Sequence, residues 1–331
     1  MSTWTIGPID TNGNAGLAPP LPGKNLTFND PAFGATILQV TDATDGGTSN
    51  VHPYAAWPCL SRNNAYFVIL VNGLWKLYSF SEGPPMSSAF VRDLPNSPTN
   101  DWERAVWDLG GSNNSLIYTT ITSTAEANRF FRSYNADTNI LSSVKDFSVE
   151  IRTTGTVTSA TSSTIFASTN IVQPVNDYTP EYFTNMRLRF TSGGLNGEER
   201  VISAFVKATG EFTMATGFSG TPSVGDAFYV RPAGYNRNVE ASASGRYLLC
   251  TVSKADGAGG DLPGCLVAYD QTLNTLTVHH CTQAEIGNGI HQIYISKDQP
   301  YAAIWGTPGD TFNIWNFSAD TMATKQTDFS H

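Results

Sequence analysis

Ser244-Gly245-Arg246-Tyr247-Leu248-Leu249-Cys250-Thr251-Val252, continued by Leu266-Val267-Ala268-Tyr269-Asp270-Gln271-Thr272-Leu273-Asn274, is the stretch whose reading decides the fold. A Ser-Gly turn leads into an aromatic and β-branched run, a second apolar run ends on an aromatic, and an Asp/Asn turn closes the unit. Runs of that composition suit a half-buried pleated surface, and Asn and Asp in turns bond locally to the backbone. The same order recurs in three other places. Its turns are Ser61-Arg62-Asn63-Asn64, Gly110-Gly111-Ser112-Asn113-Asn114 and Ser296-Lys297-Asp298. Strands are expected after them at Tyr66 to Val71, Leu116 to Thr120 and Tyr301 to Trp305, and the next strands end on Trp75-Lys76-Leu77-Tyr78, Phe130-Phe131-Arg132-Ser133-Tyr134 and Phe312-Asn313-Ile314-Trp315. Two more units carry the Asn/Asp turn, at Asn135-Ala136-Asp137-Thr138 and Ser318-Ala319-Asp320-Thr321.

The spacing turns the recurrence into an architecture. Ser244 and Ser296 lie 52 residues apart, and Ser61 and Leu109 lie 48 apart, each the length of one four-stranded propeller blade. The interval from Leu109 to Ser244 is 135 residues, and removing Thr154 to Arg231, 78 residues, leaves 57 and restores the period. The chain therefore reads as all-β: an incomplete β-propeller of about four four-stranded blades plus an N-terminal closing strand, carrying an inserted small β-domain. Residues 1–34, with Asn12-Gly13, Pro19-Pro20 and Pro22-Gly23, read as an extended arm. Residues 35–153 are expected to hold the closing strand and blades one and two, 154–231 the insert, and 232–331 blades three and four, C-terminally truncated.

Ala35 to Asp42 has the character of the polar outer strands Ile140 to Asp146 and Met322 to Asp328, but no inner strands precede it. In closed propellers such a strand completes the last blade and removes an open edge. A longer propeller cut short at His331 is the expected parent; a short distorted ring is the competing arrangement.

Composition narrows the function classes. The 331 residues are 40% hydrophobic and only 14% charged, with a formal net charge of −9. Phosphate binding needs clustered Lys and Arg, which this chain lacks, so nucleic acid is not an expected partner. The N-terminus Met1-Ser2-Thr3-Trp4-Thr5-Ile6-Gly7-Pro8 has no signal-peptide pattern, and no stretch is apolar enough for a spanning helix, so no membrane insertion is expected. A hydroxyl- and amide-rich surface without an export signal fits a virion or extracellular component released by lysis; a cytoplasmic location fits the missing signal equally. Asn25-Leu26-Thr27 and Asn316-Phe317-Ser318 are formal glycosylation sequons. Cys59, Cys250, Cys265 and Cys281 contain no C-x-x-C pair. Free thiols packed as small hydrophobes are the expected state, with a Cys250–Cys265 approach on neighbouring strands left open.

The residues just before each first turn converge on one end of a propeller axis. They are His52, then Trp102, Glu103 and Arg104, then Arg237 and Asn238, then His291 and Gln292, with His331 at the head of an aborted fifth unit. This ring is the candidate ligand-binding surface. Trp102, beside Asp101 and Glu103, is expected to be exposed near the channel; the other tryptophans are expected in the core or between blades. His279-His280, on an outer strand, is expected as a surface pair. No nucleophile elbow, zincin motif, P-loop or dinucleotide fingerprint is present, and no catalytic residue emerges.

Two resemblances add expectations. Val40-Thr41-Asp42, Asn50-Val51-His52-Pro53-Tyr54 and Leu60-Ser61 resemble the opening of oligogalacturonate lyase-like and TolB-like propellers. In the lyases, histidines and a glutamine from separate blades hold a divalent metal. That resemblance implies His52, His291, His331 and Gln292 as ligands for manganese or a similar ion, and Arg104 or Arg237 as the substrate carboxylate's partner. Ser61-Arg62-Asn63-Asn64 departs from the Ser-Pro-Asp-Gly usual there, and the histidine registers differ between units. Asp177-Tyr178, Phe183 to Gly193, Gly197, Arg200-Val201-Ile202 and Pro222 to Phe228 resemble a small β-module recurrent in tailed-phage structural proteins, which implies display or contact. The expected function is that of a non-enzymatic binding or structural propeller without a cofactor, on a virion or cell surface, contacting glycans or surface proteins. A metal-dependent polysaccharide (uronate) lyase with its site at the axis is the alternative.

Overall fold

The computed structural model describes residues 23–29, 35–46, 60–97, 102, 104–111, 113–122, 124–171, 182–254, 263–282, 285, 290–306 and 312–326. His52, Cys59, Glu103 and His331 lie outside the described residues.

Each repeat folds as an antiparallel sheet of sequence-consecutive strands. Blade I comprises Tyr66–Val71, Leu74–Ser81 and Ser87–Asp93, with Leu60 bridging to Phe67. Blade II comprises Val106–Trp107, Leu116–Thr120, Phe130–Asn135 and Ile140–Asp146. Asn236–Ala241, Tyr247–Ser253, Pro263–Asp270 and Thr275–His280 form blade III. Blade IV is Ile290–Ile295, Tyr301–Gly306, Phe312–Asn316 and Thr321–Gln326. The Ser turns that mark the repeat hold the second strand in place by their hydroxyls. Ser61 Oγ accepts from the amide of Tyr66, and Ser242 Oγ from that of Tyr247, each at 3.0 Å.

Apolar residues on both faces of the blades force face-to-face stacking. Val68, Trp75 and Leu77 of blade I bury against Trp107, Ile117 and Tyr134 of blade II. Tyr118 and Phe131 of blade II bury against Leu248, Cys250 and Val267 of blade III, and Leu249 and Leu266 of blade III against Ile304 and Trp315 of blade IV. Full burial of such side chains stabilises by about 1.5–3 kcal/mol each, which holds one sheet on the next. The first strand of blade III touches the first two strands of blade II on one side and the first strand of blade IV on the other. Blades II, III and IV thus adjoin at their inner strands, the arrangement of a propeller hub.

Between blades II and III the chain builds a different object. Seven strands from Thr153 to Arg231 form one sheet, with Thr153–Thr156 at one edge and Ser159–Ala160 at the other. Its own core is aromatic: Phe166, Phe183, Phe190, Phe212 and Phe228. Its incoming strand Thr153–Thr156 pairs with its outgoing strand Ala227–Arg231, so the sheet leaves and rejoins the propeller at nearly one point.

Of the segment expected to supply an outer strand, Thr36–Leu38 is extended and pairs with Thr27–Asn29, which falls in the stretch expected to be an arm. Val40 packs beside Phe67 and Tyr78 of blade I, and Ser88 Oγ donates to Asn25 Oδ1 at 2.7 Å. The two-stranded sheet is therefore tied to the outer face of blade I.

Candidate functional site

The hub end is built from the first strands. Arg104 lies two residues before the blade II strand Val106–Trp107, and its Nη1 donates to Asn238 Oδ1 of blade III. Asn238 sits at φ +53° where the register shifts between Arg237 and Glu240, a bulge that turns its amide toward blade II. Arg237 lies opposite Thr251, whose hydroxyl donates to the Arg237 carbonyl at 3.1 Å. In blade IV a comparable shift falls between Ile290 and Gln292, opposite Trp305. Tyr247 and Tyr301 both follow the Ser turn, and their carbonyls accept from the amides of Ser242 and Ser296, so Thr251 and Trp305 are equivalent, and with them Arg237 and Gln292. Gln292 is 3% exposed, and among the described residues its Nε2 has no hydrogen-bond partner. A buried amide donor without an acceptor costs about 1–3 kcal/mol.

The structure thus brings Arg104 into contact with Asn238 and sets Arg237 and Gln292 at one level of adjacent first strands. Trp102 departs from expectation. It is wholly buried, meets Tyr134 edge-on at 5.6 Å and donates its Nε1 to the Pro95 carbonyl, because the first seam closes over it. His291 lies on the first strand of blade IV.

A second arrangement repeats at the blade seams. Tyr134 Oη donates to Asn139 Oδ1 at 3.0 Å, Tyr269 Oη to Asn274 at 3.2 Å, and Trp315 Nε1 to Asp320 at 3.1 Å. Each acceptor sits five residues after its aromatic with a left-handed backbone, φ +59°, +54° and +48°. Onto these latches a basic side chain arrives from the outer strand of the preceding blade. Lys145 Nζ donates to Asn274 Oδ1 at 3.0 Å and lies over the Tyr269 ring, while His279 Nδ1 is 2.8 Å from Asp320 Oδ1 and its ring packs on Trp315. Burial raises the Tyr134 hydroxyl and Arg92 of blade I opposes it. Arg92, Lys145 and His279 pair with Leu77, Phe131 and Leu266 of their own blades. The five-residue spacing from aromatic to Asn or Asp was readable in the sequence; the crossing cations were not, since they come from the neighbouring unit.

His279 and His280 are therefore not a surface pair: they are 2% and 3% exposed. One ring closes the seam to blade IV and the other meets the inserted sheet. Burial disfavours the His279 cation, but hydrogen bonds to Asp320 and Glu285 and their charges outweigh it and hold the ring protonated up to about 9. Burial, and then the charge of His279, push His280 down to about 4. The neutral His280 Nδ1 lies 2.6 Å from Tyr182 Oη, which is also 3.0 Å from the Gly264 carbonyl.

Glu126 of blade II holds the other side of the inserted sheet, accepting from Arg152 Nη2 at 2.7 Å and Tyr229 Oη at 2.8 Å. Arg231, 6% exposed in its side chain, pairs with Glu199 at 3.0 Å and lies 3.9 Å from Glu126. Cys250 and Cys265 occupy neighbouring strands, but Cys250 faces Val267 and Cys265 faces Val252, and both are free and buried, as is Cys281. Burial raises the Cys265 thiol to about 12. Among the described residues no group of three or more His, Cys, Asp or Glu side chains is placed to hold a metal, and no helix is long and apolar enough to cross a membrane.

The chain is an all-β protein of propeller type, its repeats stacked sheet on sheet with a separate sheet inserted between the second and third. No family model matches it, and neither does any curated protein. Among solved structures it is similar to the dihydro-heme d1 dehydrogenase NirN, at 11% identity over 93% of this chain and 53% of that one, with a TM-score of 0.38. A functionally unknown protein from Desulfotomaculum acetoxidans matches at 9% identity over 92% of this chain and 76% of that one, TM-score 0.37. Sqt1 from Chaetomium thermophilum matches at 12% identity over 80% and 56%, TM-score 0.33. The chain spans about half the length of the first of these.

Proposed function

We propose that the chain is a non-enzymatic binding or structural β-propeller that presents the hub end of its blades to a glycan or a protein on a virion or cell surface. The observation that carries this reading is the buried Gln292 amide nitrogen, without an acceptor among the described residues, at the level of Arg237 and one blade from the Arg104–Asn238 contact. Arginine and amide donors at one end of the hub favour a partner that offers oxygen acceptors, and an incoming acceptor would recover the energy lost at Gln292. The inserted sheet, read as a phage-type display module, is a second contact element of the same assembly.

The test is a glycan array and a virion or envelope fraction probed with the full chain, followed by Arg104→Ala, Arg237→Ala and Gln292→Leu. Association with particles or envelope polysaccharide, weakened about tenfold or more by Arg237→Ala, supports the reading. Absence from particles together with no binding to any envelope glycan overturns it, as does release of an unsaturated product from polyuronate with manganese, which marks the lyase alternative.

A further inference from the structure

We infer that the cleft between blades III and IV at the outer rim is a second binding site, and that it takes the ring of a neutral sugar. The cleft, of ≈ 180 Å³, is walled by Tyr247, Asp270, Leu273, Thr275 and Thr277 of blade III and by Phe317 of blade IV. A lone water needs only about 10–15 Å³ by the same measure.

Comparison of the three seams shows why the space exists. In the first seam Tyr66 Oη donates to Asp137 Oδ1 at 2.9 Å across the rim. In the second, Gln271 Nε2 donates to Tyr118 Oη at 3.2 Å across the seam. By register Tyr247 and Ser318 are the counterparts of Tyr66 and Asp137, and Phe317 is the counterpart of Gln271. In the third seam, among the described residues, no such bond is made; Phe317 meets Tyr247 edge-on at 5.1 Å and the rim stays open.

What lines the opening is chemically specific. The Arg246 guanidinium lies 4.7 Å over the Tyr247 ring and is held by Asp270 through Nε and Nη2, at 3.1 and 2.7 Å. Asp270 is itself fixed by the amides of Thr272 and Leu273. Among the described residues Arg246 Nη1 and the hydroxyls of Tyr247, Thr275 and Thr277 carry no hydrogen bond. An orienting pair whose charges cancel does not favour a free anion, while several hydroxyl and guanidinium groups around an apolar wall of Leu273 and Phe317 match the alternating hydroxyls and C–H face of a sugar. Blades I, II and IV carry Ala65, Ser115 and Pro300 where blade III carries Arg246, so the chemistry belongs to this seam alone.

The experiment is ligand-observed saturation-transfer NMR on the full chain with a panel of neutral hexoses and N-acetylhexosamines, and a hexuronate as the charged comparison. Tyr247→Phe and Thr277→Val change little volume, and unfolding temperature reports whether they fold. Transfer from a neutral sugar, weakened about 3- to 10-fold by each of the two variants, is the expected result. No transfer from any neutral sugar, a preference for the hexuronate, or indifference to Tyr247→Phe, Thr277→Val and Arg246→Gln together overturns the inference. Because Arg104, Arg237 and Gln292 do not line this cleft, failure here leaves the hub reading untouched.

Discussion

His279 Nδ1 lies 2.8 Å from Asp320 Oδ1 across the seam between blades III and IV, and the same carboxylate oxygen accepts from Trp315 Nε1 at 3.1 Å. A buried cation thus joins two sheets through a turn whose geometry is set by its own blade. The native ring holds its proton up to about 9, above its ordinary value of 6.5. Its contribution is therefore complete below pH 6.5 and is lost as the pH rises through about 9.

Stability measured by urea denaturation at pH 6.5, 8 and 9.5 should decline by about 1–3 kcal/mol over that window, and His279→Gln should flatten the decline while lowering stability at pH 6.5. An unchanged slope in the variant would show that the proton is not released at this seam.

Arg129 is wholly buried, donating to Asn236 Oδ1 and the Gly234 carbonyl at 2.6 Å each. Burial lowers its pKa to about 10, so it stays charged at neutral pH. Asn236→Leu removes one acceptor of that charge and is expected to destabilise by about 1–3 kcal/mol, whereas Arg129→Met removes the charge itself and costs less. Thermal unfolding of both variants ranks them.

Glu126 accepts from both the segment entering the inserted sheet, at Arg152, and the strand leaving it, at Tyr229. Glu126→Gln should raise amide hydrogen exchange in 152–156 and 227–231 while leaving the aromatic core around Phe212 protected, since that core is made within the sheet. Faster exchange throughout 153–231 would mean that the sheet depends on the propeller to fold.

Asn274 combines a left-handed backbone at φ +54° with bonds from Tyr269 and Lys145. Asn274→Ala is expected to cost about 1–3 kcal/mol, and Asn274→Gly less, because glycine keeps the backbone conformation and loses only the side-chain bonds. Equal losses would place the whole effect in the hydrogen bonds.

Cys250, Cys265 and Cys281 should resist maleimide in the native protein at pH 8 and react once it is denatured, as expected for fully buried thiols. Mass spectrometry after brief labelling distinguishes the two.

The repeat was legible because it is local. Turn residues such as Ser61 and Ser244, β-branched and aromatic runs, and the Asn/Asp turns act within a few residues of one another, and the break in their period exposed the inserted segment. The site was only partly legible. Arg237, Asn238 and Gln292 lie on the first strands of blades III and IV and Arg104 two residues before that of blade II, while Trp102 is buried against Tyr134, and the His279-His280 pair is covered from two sides.

What the sequence by itself determined is the all-β blade, its period and its turn chemistry, since each arises from contacts between near neighbours. The seams were decided only by tertiary structure. Which side chain crosses from one sheet to the next, as Lys145 does to Asn274 and His279 to Asp320, and which rim is left open between Tyr247 and Phe317, depend on how two sheets more than a blade-length apart in sequence come to face each other. Burial, charge state and cleft shape are properties of that facing, and no single repeat contains them.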